Sequence, residues 1–382
     1  MQNISLYFHI PFCERKCLYC DFYSVESVSS MGLFVDALCG EIAMESDLRK
    51  EAEVGTIFFG GGTPSLLSPG QLERILGEVH RRWNVLPGAE ITLETNPGTA
   101  DGGKLKAYRS LGVNRLSIGI QSFDEEELRF LSRIHNSRQA VQCVQDARKA
   151  GFGNVSIDLI YSLPGQTMDR WIATLEKGLS LGPEHLSAYS LIVEENTPLV
   201  RMVRNGQVTP NPPEAEASIY ERTMEVMAAT GYGHYEVSNY ALPGFRCRHN
   251  LVYWHRGEYI GFGPSAHSFV KNAGAETGRR YANVANLSTY LQAIAEGKGP
   301  LAFEESVGEK EAQQERIFLG LRGDGLDERI LEVFREEGGS ARLRPVLEGL
   351  IGEGLAVHDD GILRLTDRGY LLCDEIAGRL MP

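Results

Sequence analysis

The chain has 382 residues, enough for one large domain with a smaller one attached. Hydrophobic residues make up 42% and charged residues 23%, a globular composition that excludes a fibre or a disordered chain. A net charge of −13, from 51 acidic against 38 basic residues, argues against general nucleic-acid binding.

In chain order, the N-terminus MQNISLYFHIPFC has no basic segment followed by an apolar one, so no secretory signal is expected. No apolar run approaches the roughly 20 residues that span a bilayer, and a cytoplasmic protein is the expectation. Strands are expected at Leu6–Ile10, Thr56–Phe59, Glu90–Glu94, Arg115–Ile120, Val155–Tyr161 and Leu186–Ile192. Helix-period segments lie between them, at residues 31–50, 68–83 and 168–181. This alternation predicts an α/β fold with a parallel sheet buried on both faces, as an open three-quarter barrel or a doubly wound sheet. Either places chemistry at the C-terminal ends of the strands.

The rhythm changes near Pro210. A helix is expected over residues 214–231, and residues 232–269 read as a loop-rich stretch full of aromatics and glycines. After Gly299 come short helices and a hairpin signal at Asp359-Asp360-Gly361, resembling a winged helix. The expected divisions are residues 1–209, 210–299 and 300–382. Glu348, Glu353, Asp359 and Asp360 make the last of these a lid or partner surface rather than a DNA reader.

Seven cysteines include three within eight residues, Cys13, Cys17 and Cys20, while Cys39, Cys143, Cys247 and Cys373 are isolated. That pattern does not suit a secreted disulfide framework. The CxxxCxxC array directly after the first strand fits a 4Fe–4S cluster, in which three thiolates leave one iron open to an exogenous chelator. The competing reading is zinc, closed by a histidine such as His9. Gly60-Gly61-Gly62-Thr63-Pro64 follows the second strand, where glycines allow close backbone approach to a ligand or serve a tight turn. Glu94, Gln121 and Asp158 sit at or near strand ends, where a buried carboxylate needs a partner.

The array, with Tyr19 before its third cysteine, resembles the radical SAM superfamily. The resemblance extends through YFHIPFC, FFGGGTPSLL, LETNPG, RLSIGIQSF, LSRIH, DLIYSLPGQT, EVSNYA, HNLVYW and GFGPSAHS. These blocks look like the oxygen-independent coproporphyrinogen III oxidase family with its heme chaperone branch. The resemblance implies a partial (β/α)6 barrel with a small C-terminal α+β, winged-helix-like domain. It also implies a 4Fe–4S cluster whose open iron is chelated by S-adenosylmethionine (SAM). By similarity, Tyr7, Gly62, Thr63, Glu94, Gln121, Arg133, Asp158 and Ile192 match the family's SAM-contact positions, although Glu94 and Arg133 each suit a structural salt bridge as well.

Two departures argue against coproporphyrinogen oxidation. The oxidases carry a further cysteine where this chain has Asp21-Phe22, and a longer segment before the position of Tyr7. His249-Asn250-Leu251-Val252-Tyr253-Trp254 matches the HNxxYW motif that the resemblance associates with heme, through His249, Tyr253 and Trp254. An imidazole is a good axial ligand and aromatic rings pack on a macrocycle, but the same residues also suit a hydrogen-bonded core. Cys247 is a second soft donor nearby, His255 and His267 read as polar core groups, and His135 as a helix-end or SAM-side hydrogen bond. The implied function is a heme chaperone delivering heme to acceptor hemoproteins, respiratory membrane enzymes among the candidates. The alternative is a radical SAM enzyme acting on a tetrapyrrole. Homodimerisation is left open.

Overall fold

The computed structural model describes residues 3–46, 52–327, 329–330 and 340–381. The six expected strands form as β1 (Asn3–Ile10), β2 (Glu53–Gly61), β3 (Asn84–Thr95), β4 (Arg115–Gln121), β5 (Val155–Tyr161) and β6 (His185–Ser190). They lie side by side in chain order and are parallel throughout. Between them run α1 (Met31–Ser46), α2 (Pro69–Arg82), α3 (Gly102–Ser110), α4 (Glu125–Phe130), α5 (Ser137–Lys149) and α6 (Met168–Leu179). The last residues of the first expected helix, 47–50, lie outside the described residues.

Local chemistry starts these helices. Ser68 and Gln71 form a reciprocal capping box ahead of α2, with Pro69 at the first position, and Asn136 with Gln139 do the same for α5. Asp101, Asp124 and Thr167 cap α3, α4 and α6.

The strands alternate strictly. Leu6, Phe8 and Ile10 of β1, Ile57 and Phe59 of β2, and Leu116, Ile118 and Ile120 of β4 belong to one apolar core with the helices. Residues of opposite parity are largely polar: Ser5, Tyr7 and His9; Arg115, Ser117 and Gln121; Ser156 and Asp158; Ser187 and Tyr189. Several line an interior lumen. The sheet is buried on both faces as expected, with an apolar helix-facing side and a polar lining on the concave side.

The sheet continues beyond the six strands. After α7 (Pro198–Arg204) and α8 (Pro213–Ala229), the hairpin of β7 (Gly233–Glu236) and β8 (Asn239–Ala241) adds antiparallel to β6. The segment HNLVYW lies in a helix, α9 (Arg248–Trp254). Next, β9 (Tyr259–Phe262) runs parallel to β1 on its other side, and β10 (His267–Lys271), β11 (Gly278–Asn283) and β12 (Leu301–Val307) extend that edge antiparallel. The sheet therefore has twelve strands in the order β12-β11-β10-β9-β1-β2-β3-β4-β5-β6-β8-β7, open at both ends. It runs past residue 300, through Val307. The stretch read as loop-rich also holds three short strands, the start of a fourth and one helix. Gly261 hid β9: a Cβ there would sit 2.2 Å from the His267 carbonyl, so the strand needs a glycine that reads as a loop residue.

Helix α10 (Leu287–Ala295) packs on α1, and α11 (Glu309–Arg322) leads into the C-terminal unit. There β13 (Leu326–Asp327), β14 (Ala356–Asp359) and β15 (Ile362–Leu365) form a separate antiparallel sheet. Asp360 and Gly361 have φ of 50° and 76°, the left-handed pair of the expected tight hairpin turn. Ile317, Leu321, Leu350, Leu363, Ile376 and Leu380 form a second core there.

Candidate functional site

The cysteine loop leaves the C-terminal end of β1. Phe12 bridges to Val25, and backbone bonds from Cys13 N to Val25 O (3.0 Å) and from Val25 N to Pro11 O (2.7 Å) close its neck. Tyr19 anchors the tip against Leu131, Ile160 and Leu163. All three cysteines are half-buried. The Thr63 hydroxyl donates to Cys13 Sγ and the Arg133 Nη1 to Cys17 Sγ, each at 3.6 Å, so donors already face two of the sulfurs. In the metal-free loop, burial pushes the Cys13 thiol up and the Cys20 thiol up to about 11. Cationic metal would replace those protons. His9 does not complete a tetrahedral site, because its Nε2 pairs with Tyr23 O (2.8 Å) and its Nδ1 with the Tyr7 hydroxyl (3.2 Å). Three half-buried thiols lining one cavity, two of them faced by donors, suit the cluster that the CxxxCxxC array implies, while among the described residues no group of three His, Cys, Asp or Glu could hold a single metal ion.

Beneath the loop, at the C-terminal strand ends, lies a cavity of about 420 Å³. Its lining includes Cys13, Cys17 and Cys20 together with Gly62, Thr63, Glu94, Gln121, Arg133, Asp158 and Ile192. Tyr7 lines an adjoining chamber of about 200 Å³, which shares Glu94 and Asp158 with the first. The eight positions and the three cysteines therefore border two adjoining cavities with lining residues in common.

Several of the polar groups are held by their neighbours. Arg133 Nη2 donates to Asn96 Oδ1 and to Gly119 O, both at 2.6 Å, and Asn96 Nδ2 donates to Thr63 Oγ1 at 3.0 Å. A chain of donors thus runs from Arg133 to Cys13. Gly119 makes room for it, since a Cβ there would lie 3.0 Å from both Asn96 Oδ1 and Gln121 Nε2. Gln121 itself has φ of 71°, a strained conformation for a non-glycine, at a bulge in β4. Asp158 accepts from Ser117 Oγ at 3.0 Å through both oxygens and from Ser156 Oγ at 3.2 Å. Burial still holds its carboxyl above the usual range, against the opposing pull of Arg115. Glu94 is pushed up to about 8 by burial and then by the charge of Asp158.

The glycine run serves the chain itself. A Cβ on Gly61 (φ 103°) would meet the His9 ring at 2.7 Å, and one on Gly62 would meet Phe12 O at 2.7 Å. Close packing on the cysteine loop explains these two, while Gly62 still borders the cavity. Asn96, Arg115 and Ser117 were not singled out from the sequence. Their signal was alternation: Asn96 stands two residues after Glu94, and Arg115 and Ser117 share the parity of Gln121.

Helix α9 closes the inner end of the lumen. Glu90 of β3 accepts from the backbone N–H groups of Arg248 (3.1 Å) and His249 (3.0 Å) at its start. His249 and Tyr253 both line the 200 Å³ chamber, whereas Trp254 turns away and packs on Gly323 of the C-terminal unit. The structure thus brings two of the three motif residues together. His249 is buried, stacked on Phe58 at 5.0 Å, with Nδ1 on Thr56 Oγ1 (2.7 Å) and Nε2 on the Tyr253 hydroxyl (2.9 Å). Burial, then the Arg115 charge, pull its pKa down to about 3, so the ring is neutral. Cys247 is fully buried against Glu90, its thiol pushed up to about 12 by burial. His255 and His267 are not core groups: both are exposed, and His255 pairs with Asp324 at 3.1 Å. His135 is buried, its Nε2 on Ile120 O at 3.1 Å.

An open parallel barrel whose first strand delivers three cysteines over a polar lumen defines the class of cluster-bearing α/β barrels. The model of the Radical SAM superfamily matches residues 7–178. The chain is 36% identical over 374 residues to the heme chaperone HemW of Lactococcus lactis, covering 97% of this chain and 96% of that one. It is likewise 36% identical over 384 residues to the heme chaperone HemW of Bacillus subtilis, covering 99% of both. Among solved structures, coproporphyrinogen III oxidase (HemN) from Escherichia coli superimposes with a TM-score of 0.84 at 24% identity, covering 100% of this chain and 90% of that one. The chain belongs to the radical SAM superfamily and, within it, to the family of the heme chaperone HemW proteins.

Proposed function

We propose that this chain binds heme and transfers it to acceptor hemoproteins, while Cys13, Cys17 and Cys20 carry a 4Fe–4S cluster whose open iron takes an exchangeable SAM. One observation carries the reading: identity of 36% along nearly the whole of proteins named heme chaperones. Two lining residues support it. Phe22, 63% exposed, stands two positions after Cys20, where the oxidases carry a further cysteine, and lines both cavities. His249 offers a neutral imidazole in the inner one.

The chain's own residues have distinct tasks. Thr63 and Arg133 donate to thiolates and so stabilise the deprotonated ligands. Glu94 and Asp158 provide buried acceptors for the ribose hydroxyls or the N–H groups of the iron-bound amino group of SAM, Asp158 from within a set of serine hydroxyls. When bound, the cluster supplies the iron that chelates the SAM amino and carboxylate groups. By the resemblance, His249, Tyr253 and Trp254 would hold heme, His249 offering a ring nitrogen to its iron. Respiratory membrane enzymes are acceptors in this reading, and the working compartment is the cytoplasm. Among the described residues no helix is long and apolar enough to cross a membrane.

The test is an anaerobic hemin titration of the cluster-loaded protein beside a His249→Ala variant, followed by visible absorption. Saturable one-to-one binding that weakens in the variant supports a carrier. Absence of specific binding, with conversion of a porphyrinogen coupled to SAM cleavage, would instead establish a tetrapyrrole-modifying enzyme.

A further inference from the structure

Asp158 stands at one end of a hydrogen-bonded chain that crosses from β5 to β6 and on to the residue before α9. Ser156 and His185 face each other in register on the two strands, as do Asp158 and Ser187. Ser156, His185, Tyr235 and Cys247 are all buried, none of them more than 2% exposed. The Ser156 hydroxyl donates to Asp158 Oδ1 at 3.2 Å and touches His185 Nδ1 at 2.8 Å. His185 Nε2 meets the Tyr235 hydroxyl at 2.7 Å, and that oxygen accepts from the Cys247 N–H at 3.2 Å. Burial, then the Arg115 charge, pull the His185 pKa well below its ordinary value, so the neutral ring carries one proton. Both ends of the chain assign that proton to Nδ1. Among the described residues the Tyr235 O–H has His185 Nε2 as its acceptor, so Nε2 holds the lone pair. Serine has one hydroxyl proton. Given to Asp158, it leaves the Ser156 oxygen to accept from Nδ1–H.

We infer that His185, held by Tyr235, is a positioning residue: it fixes the Ser156 proton onto Asp158 and so keeps that carboxylate set as an acceptor for SAM. The inference rests on the SAM reading of Asp158 above. The carboxylate is enclosed with Glu94 and Arg115, and burial works against its charge. Ser117 donates to both of its oxygens from β4, and Ser187 adds a bond from β6. Ser156 differs from Ser117 in touching a second group that could take its proton, the His185 ring. With the ring proton on Nε2, Nδ1 would accept from Ser156 and Asp158 would lose a donor. A histidine that only fills the core is satisfied by either tautomer. Here the Tyr235 hydroxyl removes that freedom.

The experiment measures equilibrium SAM binding to the cluster-loaded protein, with iron and sulfide assayed in every variant. Wild type is compared with Asp158→Asn, Ser156→Ala, His185→Leu, His185→Asn and the Ser156→Ala/His185→Leu double variant. Leucine and asparagine have one shape and differ in the amide, whose N–H can stand in for Nδ1–H. Ser156→Ala and His185→Leu are each expected to weaken SAM binding about tenfold, the effect of losing a donor to a charged group. His185→Asn is expected to recover most of that loss. Because the two residues act in series, the double variant is expected to bind no more weakly than Ser156→Ala alone. Equal affinities in His185→Leu and His185→Asn, or losses that add in full, overturn the positioning role. If neither histidine variant keeps its cluster, Ser156→Ala decides, and wild-type affinity there overturns it. In each of these cases weakened binding by Asp158→Asn leaves the SAM reading standing. Wild-type affinity in Asp158→Asn overturns that reading together with the inference.

Discussion

At the scale of single residues, Glu94 is the group whose chemistry is most displaced from its ordinary state. Burial and Asp158 push it up to about 8, so near neutrality it is largely protonated in the empty lumen. A ligand that bonds to the carboxylate must first drive off that proton. SAM affinity is therefore expected to rise with pH up to about 8 in wild type, and to lose that dependence in Glu94→Gln. Equilibrium binding at several pH values checks this, and a flat wild-type profile would show that Glu94 does not meet SAM as a carboxylate. Glu94 was legible in the sequence because it is the one charge in an apolar strand end, LETNPG. Asn96, two residues on, was not, although it ties Arg133 to Thr63. An uncharged amide just past a strand looks like turn chemistry until its partners are known.

Among the elements, α1 is joined to the strands beyond β1 by two carboxylates, Glu45, which accepts from the Tyr281 hydroxyl at 2.9 Å, and the more deeply buried Glu41. Glu41 of α1 accepts from Gly263 N (2.8 Å), Asn283 Nδ2 (2.6 Å) and the Tyr290 hydroxyl (2.7 Å). Glu41→Gln turns one acceptor into a donor facing another donor. It is expected to cost about 1–3 kcal/mol, measured by denaturant unfolding, because a buried donor loses its partner. Strands β1 to β6 were readable because each carries an unbroken run of buried apolar residues at alternate positions. Strands β7 to β12 were not, being three to seven residues long and, at Gly261 and Gly278, glycine-bearing where backbones touch. The helix of HNLVYW was hidden too: its start is capped by Glu90, a residue 158 positions away from Arg248.

The whole molecule encloses several titratable groups at a cost that pH exposes. Burial pushes Glu41 and Glu236 up to about 7 and Glu94 up to about 8. A carboxyl with a native pKa above its unfolded value of about 4.3 keeps its proton longer when folded. Its contribution is thus full below that value and is lost as pH rises to the native pKa. Buried histidines have the opposite sign: His249 is pulled down to about 3, His135 and His234 to about 4. Their contribution is present above an unfolded pKa of about 6.5 and is lost as pH falls below it. Between about pH 7.5 and 8 the histidine contributions are complete and the carboxyls still act, so the melting temperature of the chain is expected to fall across that window. Glu94→Gln should flatten its upper end. A melting temperature that rises there would contradict the burial of these groups. That the sheet's concave side is a polar lining follows from the same enclosure. Tested strand by strand, alternation separates Leu6, Phe8 and Ile10 from Ser5, Tyr7 and His9, and only closure of the strands shows that the polar set faces inward.

The most direct measurement is of the metal itself. The anaerobically reconstituted protein is assayed for iron and sulfide, with electron paramagnetic resonance of the reduced form before and after SAM, beside Cys13→Ala, Cys17→Ala, Cys20→Ala and His9→Ala. The predicted result is about four irons and four sulfides per chain, a signal that changes on adding SAM, loss of the cluster in each cysteine variant and retention in His9→Ala. One zinc per chain without sulfide, or a cluster signal indifferent to SAM, would contradict the three-cysteine site with an open iron.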